Sequence, residues 1–172
     1  MIDISFKIGD TLAPHGGEFQ KNIFEHWQQI QRSTAYPIQR DFRPQKFAKY
    51  LSQIAVVSVN RKGEYADRLT GDTISEVLQL GPHKGRLVEP QDVNIRDVMH
   101  TMLNETILAD APMYYKGSFI PTDHRRIDFT ALVLPFSYDA AAGQLDTMML
   151  AFDFSKHNRQ ELDFTAFTAD HP

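Results

Sequence analysis

Apolar residues recur along this chain with two periods, and the changes of period mark its elements. From Glu18 onward, Phe19, Ile23, Trp27 and Ile30 fall at steps of four, four and three, with Phe24 beside them. That is one apolar stripe on a helix. "TAYP" stops it, because the residue before a proline avoids the helical region. A second, short helix is expected over "DFRPQKFAKYLSQ", with Pro44 at its first position, Asp41 near enough to cap it, and Phe47, Tyr50 and Leu51 on its inner face. The period then changes to two. "IAVVSV" (54–59) reads as a strand, "NRKG" as a hairpin turn, and "EYADRLT" as the return strand, with Tyr65, Asp67 and Leu69 on one face and Ala66, Arg68 and Thr70 on the other.

"GDTISEVL" suits a short helix, with Thr73 and Glu76 at capping-box spacing. "GPHKG" is a loop. "NIRDVMHTMLNETILAD" carries a helical stripe of Ile95, Val98, Met99, Met102, Leu103 and Ile107, with Leu108 at its margin and Asp92 or Asn94 as its cap. The last third predicts three antiparallel strands, at 112–120, about 126–134 and 145–154. The second of them runs into "FTALVLPFSYD", so that Pro135 follows the most strand-like stretch of the chain although proline is excluded from the middle of a sheet.

Residues 1–17, ending in "APHGG", are expected to be a flexible lead; 18–155 form the domain and 156–172 a tail without clear end signals. Two strands separated by helices from three more do not alternate as a parallel βαβ sheet does. An α+β fold follows, with a five-stranded antiparallel sheet and helices on one face.

Composition narrows the chemistry. The 172 residues are 42% apolar and 23% charged with a formal net charge of -4, ordinary for a globular domain and without a basic field for nucleic acid. There is no cysteine. Disulfides, zinc–thiolate sites, iron–sulfur clusters, covalent haem and cysteinyl–flavin chemistry are excluded, and a cytoplasmic location is expected. No apolar run reaches the roughly 18–20 residues that span a bilayer, so no membrane partner is expected.

The order of elements is that of a PAS domain, and the residues extend the likeness. Trp27 in the first helix, "RDFRPQKFAKYLSQIAVVSV", "YADRLTGDTISEVL", "GPHKGRL" and "LVLPFSYD", in that order, resemble a family of stand-alone PAS proteins common in alphaproteobacteria. The resemblance covers residues 26 to 154 and departs at Pro82 and His83 of the loop. It implies sheet order 2-1-5-4-3, with the strand before Pro135 internal and Pro135 at its last rungs. It also implies a sensory or regulatory module that is not an enzyme and that works through an unidentified signalling protein, gated by a small apolar ligand if its internal pocket is occupied. Met99, Met102, Leu103, Phe129, Leu132 and Met149 would line that pocket.

No cofactor is expected. None of the seven histidines shows the spacing of a metal site. His100 lies on the long helix that flanks the PAS pocket but about 100° from Met99, so haem ligation by it is not expected. His124, in "TDHRR", reads as a hairpin tip. No nucleophile–base set, P-loop or GxGxxG is present. The broad stripe of Phe19, Ile23, Phe24, Trp27 and Ile30 is expected to serve a homodimer interface, since Trp and Phe suit an interface centre. A reading of another class stays open: a small-molecule binding protein or isomerase-like enzyme on an α+β cone, with Asp128 as its one candidate carboxylate.

Overall fold

The structure, a computed structural model, describes residues 1–9, 12, 15–31, 35–80, 87–138 and 143–154. Loop residue His83 and the tail 156–172 lie outside them. Six strands form one antiparallel sheet: β1 Ile2–Lys7, β2 Ile54–Val59, β3 Tyr65–Thr70, β4 Met113–Phe119, β5 Ile127–Phe136 and β6 Thr147–Asp153, in the order β1-β4-β5-β6-β2-β3. The five expected strands keep their expected order. The sixth corrects the reading of residues 1–17 as a flexible lead. Ile2, Ile4, Phe6 and Ile8 alternate, and the strand they form pairs with β4 from Ile2 opposite Gly117 to Lys7 opposite Met113. Gly117 makes the approach possible: a Cβ there would lie 2.4 Å from the Met1 carbonyl.

The helices are α1 Glu18–Ile30, α2 Asp72–Val77 and α3 Val93–Ala109, with a 3₁₀ segment over Pro44–Gln53. They occupy both faces of the sheet, not one. On the first face α2 and α3 bury Ile74, Met99, Met102 and Leu103 against Tyr115, Phe129, Val133 and Phe152. On the second, α1 and the 3₁₀ segment bury Phe19, Ile23, Trp27 and Phe47 against Val56, Leu132, Leu134 and Met149. A stripe shows that a helix buries one side; it does not say which face of a sheet receives it. β5 and β6 are central and supply alternate residues to both cores, hence their nearly unbroken apolar runs.

Local chemistry sets the joints. Asp92 caps α3: its Oδ1 accepts from the backbone N–H of Asn94 at 3.0 Å and of Ile95 at 3.2 Å. α2 starts at Gly71 without a side-chain cap, so the Thr73–Glu76 capping box does not form. Gly71 is required for space rather than for backbone shape, because a Cβ there would sit 2.2 Å from the Ser52 carbonyl oxygen. A bulge between Val56 and Val57 sets Asp67 opposite Val57 and Leu69 opposite Val56. Asp67 and Leu69 therefore face opposite sides, against the simple alternation, and Leu51, expected to face inward, is surface-exposed.

Pro135 lies one rung from the end of β5. On one side β5 stays paired with β6, Pro135 opposite Met148; on the other, pairing with β4 ends at Val133 opposite Met113. The missing N–H therefore removes no bond on the β4 side. The Pro135 carbonyl accepts from the Trp27 indole Nε1–H at 2.9 Å. The proline sits where the sheet has run out of partners, and α1 closes the gap.

Candidate functional site

The side chains expected to line an internal pocket do not share one space. Met99, Met102, Leu103 and Phe129 belong to the α3 core, Leu132 and Met149 to the α1 core. Phe129 and Leu132 are three apart on a strand of period two, so they face opposite sides. The α3 core is closely filled. Phe129 lies 4.5 Å from Phe119 and 5.7 Å from Phe152 between ring centroids, and Phe152 stacks on Phe154 at 5.4 Å. Its one buried phenol, Tyr115, donates to the Met102 carbonyl at 2.9 Å and meets Thr106 Oγ1 at 3.1 Å. Burial pushes this phenol's pKa up, so it stays neutral. His100 does not face this core freely: its Nε2 lies 2.9 Å from the Val88 carbonyl and its ring 5.4 Å from Tyr65.

The stripe expected at a dimer interface is spent within the chain. Phe19, Ile23, Phe24 and Trp27 are buried and Ile30 is half-buried, all against the second face of their own sheet. Two polar side chains, Trp27 and Gln20, bond α1 to that face. Trp27 bonds Pro135. Gln20 is a fully buried amide whose Nε2 donates to the Ala151 carbonyl at 2.8 Å while its Oε1 accepts from the Gly17 N–H at 3.0 Å. These bonds give α1 one register on the sheet.

α1 leaves part of that face open. Beside its first turn, β1, β4 and β5 form a cleft of about 640 Å³. His15 and Tyr114 make one wall, with Phe6 behind them; the His15 ring lies 4.6 Å from Phe6 and 5.9 Å from Tyr114. Lys116 and Thr130 rise from the floor as cross-strand partners. At the rim Arg126 Nε donates to Asp128 Oδ1 at 2.7 Å, and Arg126 Nη2 lies 3.9 Å from Asp3. Asp153 closes the end near α1: a Cβ on Gly17 would be 2.9 Å from its Oδ2. Asp128, the sequence's candidate carboxylate, is thus in an open polar cleft, paired with Arg126 and not enclosed in an apolar pocket. Near it His124 sits at the hairpin tip with φ 64°, beside Arg125, which is bonded to Asp123 at 2.9 Å. The cleft was missed because it needs β1; the alternation of Ile2, Ile4, Phe6 and Ile8 was the signal that could have found it.

One antiparallel sheet with the order 2-1-5-4-3 among its five expected strands, a long helix across one face and a shorter one before it, defines an α+β architecture. The chain belongs to the PAS domain family, which matches residues 18–150. Comparison with curated proteins finds none that matches the chain. The family supports a sensory or regulatory module in general and is generally non-enzymatic. No helix among the described residues is long and apolar enough to cross a membrane. β1 lies outside the matched residues, and with it Asp3, Ile4 and one side of the cleft.

Proposed function

We propose that this chain is a PAS regulatory module of the cytoplasm that transmits a signal through contact with a protein partner, works as a homodimer and catalyses no reaction. The observation that carries the reading is the filling of the α3 core. Met99, Met102, Leu103, Phe119 and Phe152 are each 0% exposed, and the Phe119, Phe129 and Phe152 rings pack against one another, which supports an interior filled by its own side chains. A packed interior leaves the surface as the place where information is read. The absence of cysteine suits a reducing compartment. With the α1 stripe buried, self-association uses other surface, and the exposed apolar side chains Leu51 and Leu69 flank the second face of the sheet.

Native mass spectrometry of the purified chain, with light scattering across a concentration series, tests this. The expected result is a dimer whose mass is twice that of the polypeptide, with nothing bound in stoichiometric amount. A monomer at every concentration would remove the dimer. A stoichiometric small molecule whose release changes the amide spectrum of α3 would replace the relay with a ligand-gated sensor.

A further inference from the structure

We propose that the cleft between β1, β4, β5 and the first turn of α1 is a binding site for a small monocarboxylate with an aromatic or aliphatic body. This goes beyond the regulatory reading and does not rest on it. The cleft's volume, about 640 Å³, lies in the range of small-molecule sites. Its wall offers rings, and Ile4, which lines it, is 47% exposed on a strand face where an apolar side chain needs cover.

The charges select the head group. Arg126 is engaged by Asp128 and close to Asp3, and Asp153 abuts the start of α1. Among the described residues Lys116 alone of the floor's charges has no hydrogen bond or ion pair. The group it calls for is an anion. Asp3, Asp128 and Asp153 outnumber the cations Lys116 and Arg126 by one, so a monoanion is held only by pairing directly with Lys116, and a phosphate dianion is repelled more strongly. Thr130 beside Lys116 bonds Gln20, with its Oγ1 3.4 Å from Gln20 Oε1, and Gln20 holds the Gly17 N–H. A ligand on this floor therefore reaches Gln20, the anchor of α1, through Thr130.

The test is an amide-resolved NMR titration of the full chain with benzoate and hexanoate, using benzylamine and inorganic phosphate as charge controls. Saturable shifts are expected at Ile4, Gly16, Gly17, Lys116 and Gly117 with both carboxylates, and none with benzylamine or phosphate. Lys116→Met, an exposed substitution that leaves the fold intact, is expected to weaken carboxylate binding about tenfold or more, since it removes a charge-assisted bond. Equal binding by Lys116→Met, equal binding of benzylamine, shifts confined to the α3 core, or no saturable shift at millimolar probe would each overturn the proposal.

Discussion

At the scale of single residues, the polar atoms buried under α1 decide how it is held. The indole of Trp27 covers Leu134 and its neighbours and also satisfies the carbonyl that Pro135 leaves beyond the end of β4. Trp27→Phe separates the two roles. The ring is retained while the Pro135 carbonyl loses its donor, at a cost of about 1–3 kcal/mol; Trp27→Ala costs roughly 3–5 kcal/mol because a cavity is added. Chemical denaturation at several protein concentrations checks this. Both losses are expected to be independent of concentration, because the indole is buried within its own chain. His26 carries a second residue-scale prediction. Its ring is 6% exposed between Phe42 and Phe47, and Nδ1 has no hydrogen-bond partner. Burial lowers its pKa, with the cations Lys46 and Arg43 adding to the effect and the nearby Gln29 amide opposing it. The unfolded chain therefore takes up a proton near pH 6.5 that the folded chain refuses until lower pH. Stability is complete above that pH and falls as the pH drops through and below it. His26→Gln is expected to flatten this slope between about pH 7 and 5; an unchanged slope in thermal unfolding across that range would reject the assignment.

At the scale of elements, Asp92 joins two of them. Besides capping α3, its Oδ2 accepts from the Thr122 N–H at 2.7 Å and the Thr122 hydroxyl at 2.9 Å, tying the helix start to the turn after β4. Burial alone would raise its pKa. The bonds from Thr122, Ile95 and Asn94 together outweigh that and hold it below the ordinary carboxylate value of 3.8. The contribution is present above that value and is lost as pH falls through the lower folded-state pKa. Asp92→Ala should cost about 1–2 kcal/mol at neutral pH and less in acid, which urea titrations at pH 7 and pH 3 would measure. The cap was legible in the sequence as Asp92 or Asn94, because an N-cap is a local signal, and so were α1, α3 and the strands with clean alternation. What was not legible depends on non-local placement. The stripe of α1 announced burial without naming the receiving face, and so was read as an interface. Leu69 was placed with Asp67 because a bulge is invisible in a period-two pattern. Leu132 and Met149 were grouped with Phe129 by apolar character, although the strand period already separated Phe129 from Leu132.

At the scale of the whole molecule, the sheet is a shared wall between two cores, and β1 is the one strand that lies outside the family match. β5 and β6 feed both cores, so neither face unfolds without disturbing the other. β1 sits at an edge and is mostly exposed, with Ile2 packed against the first core and Phe6 against the second. Removing residues 2–7 is therefore expected to leave a cooperatively folding domain. The loss should be on the order of 2–3 kcal/mol, the partial burial of one Ile and one Phe. The consequences should be uneven. Amide protection in α3 and β6 should persist up to the new global limit. The cleft should lose Asp3 and Ile4, and with them its affinity for carboxylates, while Gln20 still holds α1 to Ala151. Hydrogen exchange resolved by residue separates this from its alternative. If the shortened chain lost protection throughout α3, β1 would belong to the folding core, and the fold of residues 18–150 would depend on a strand that the family match does not include.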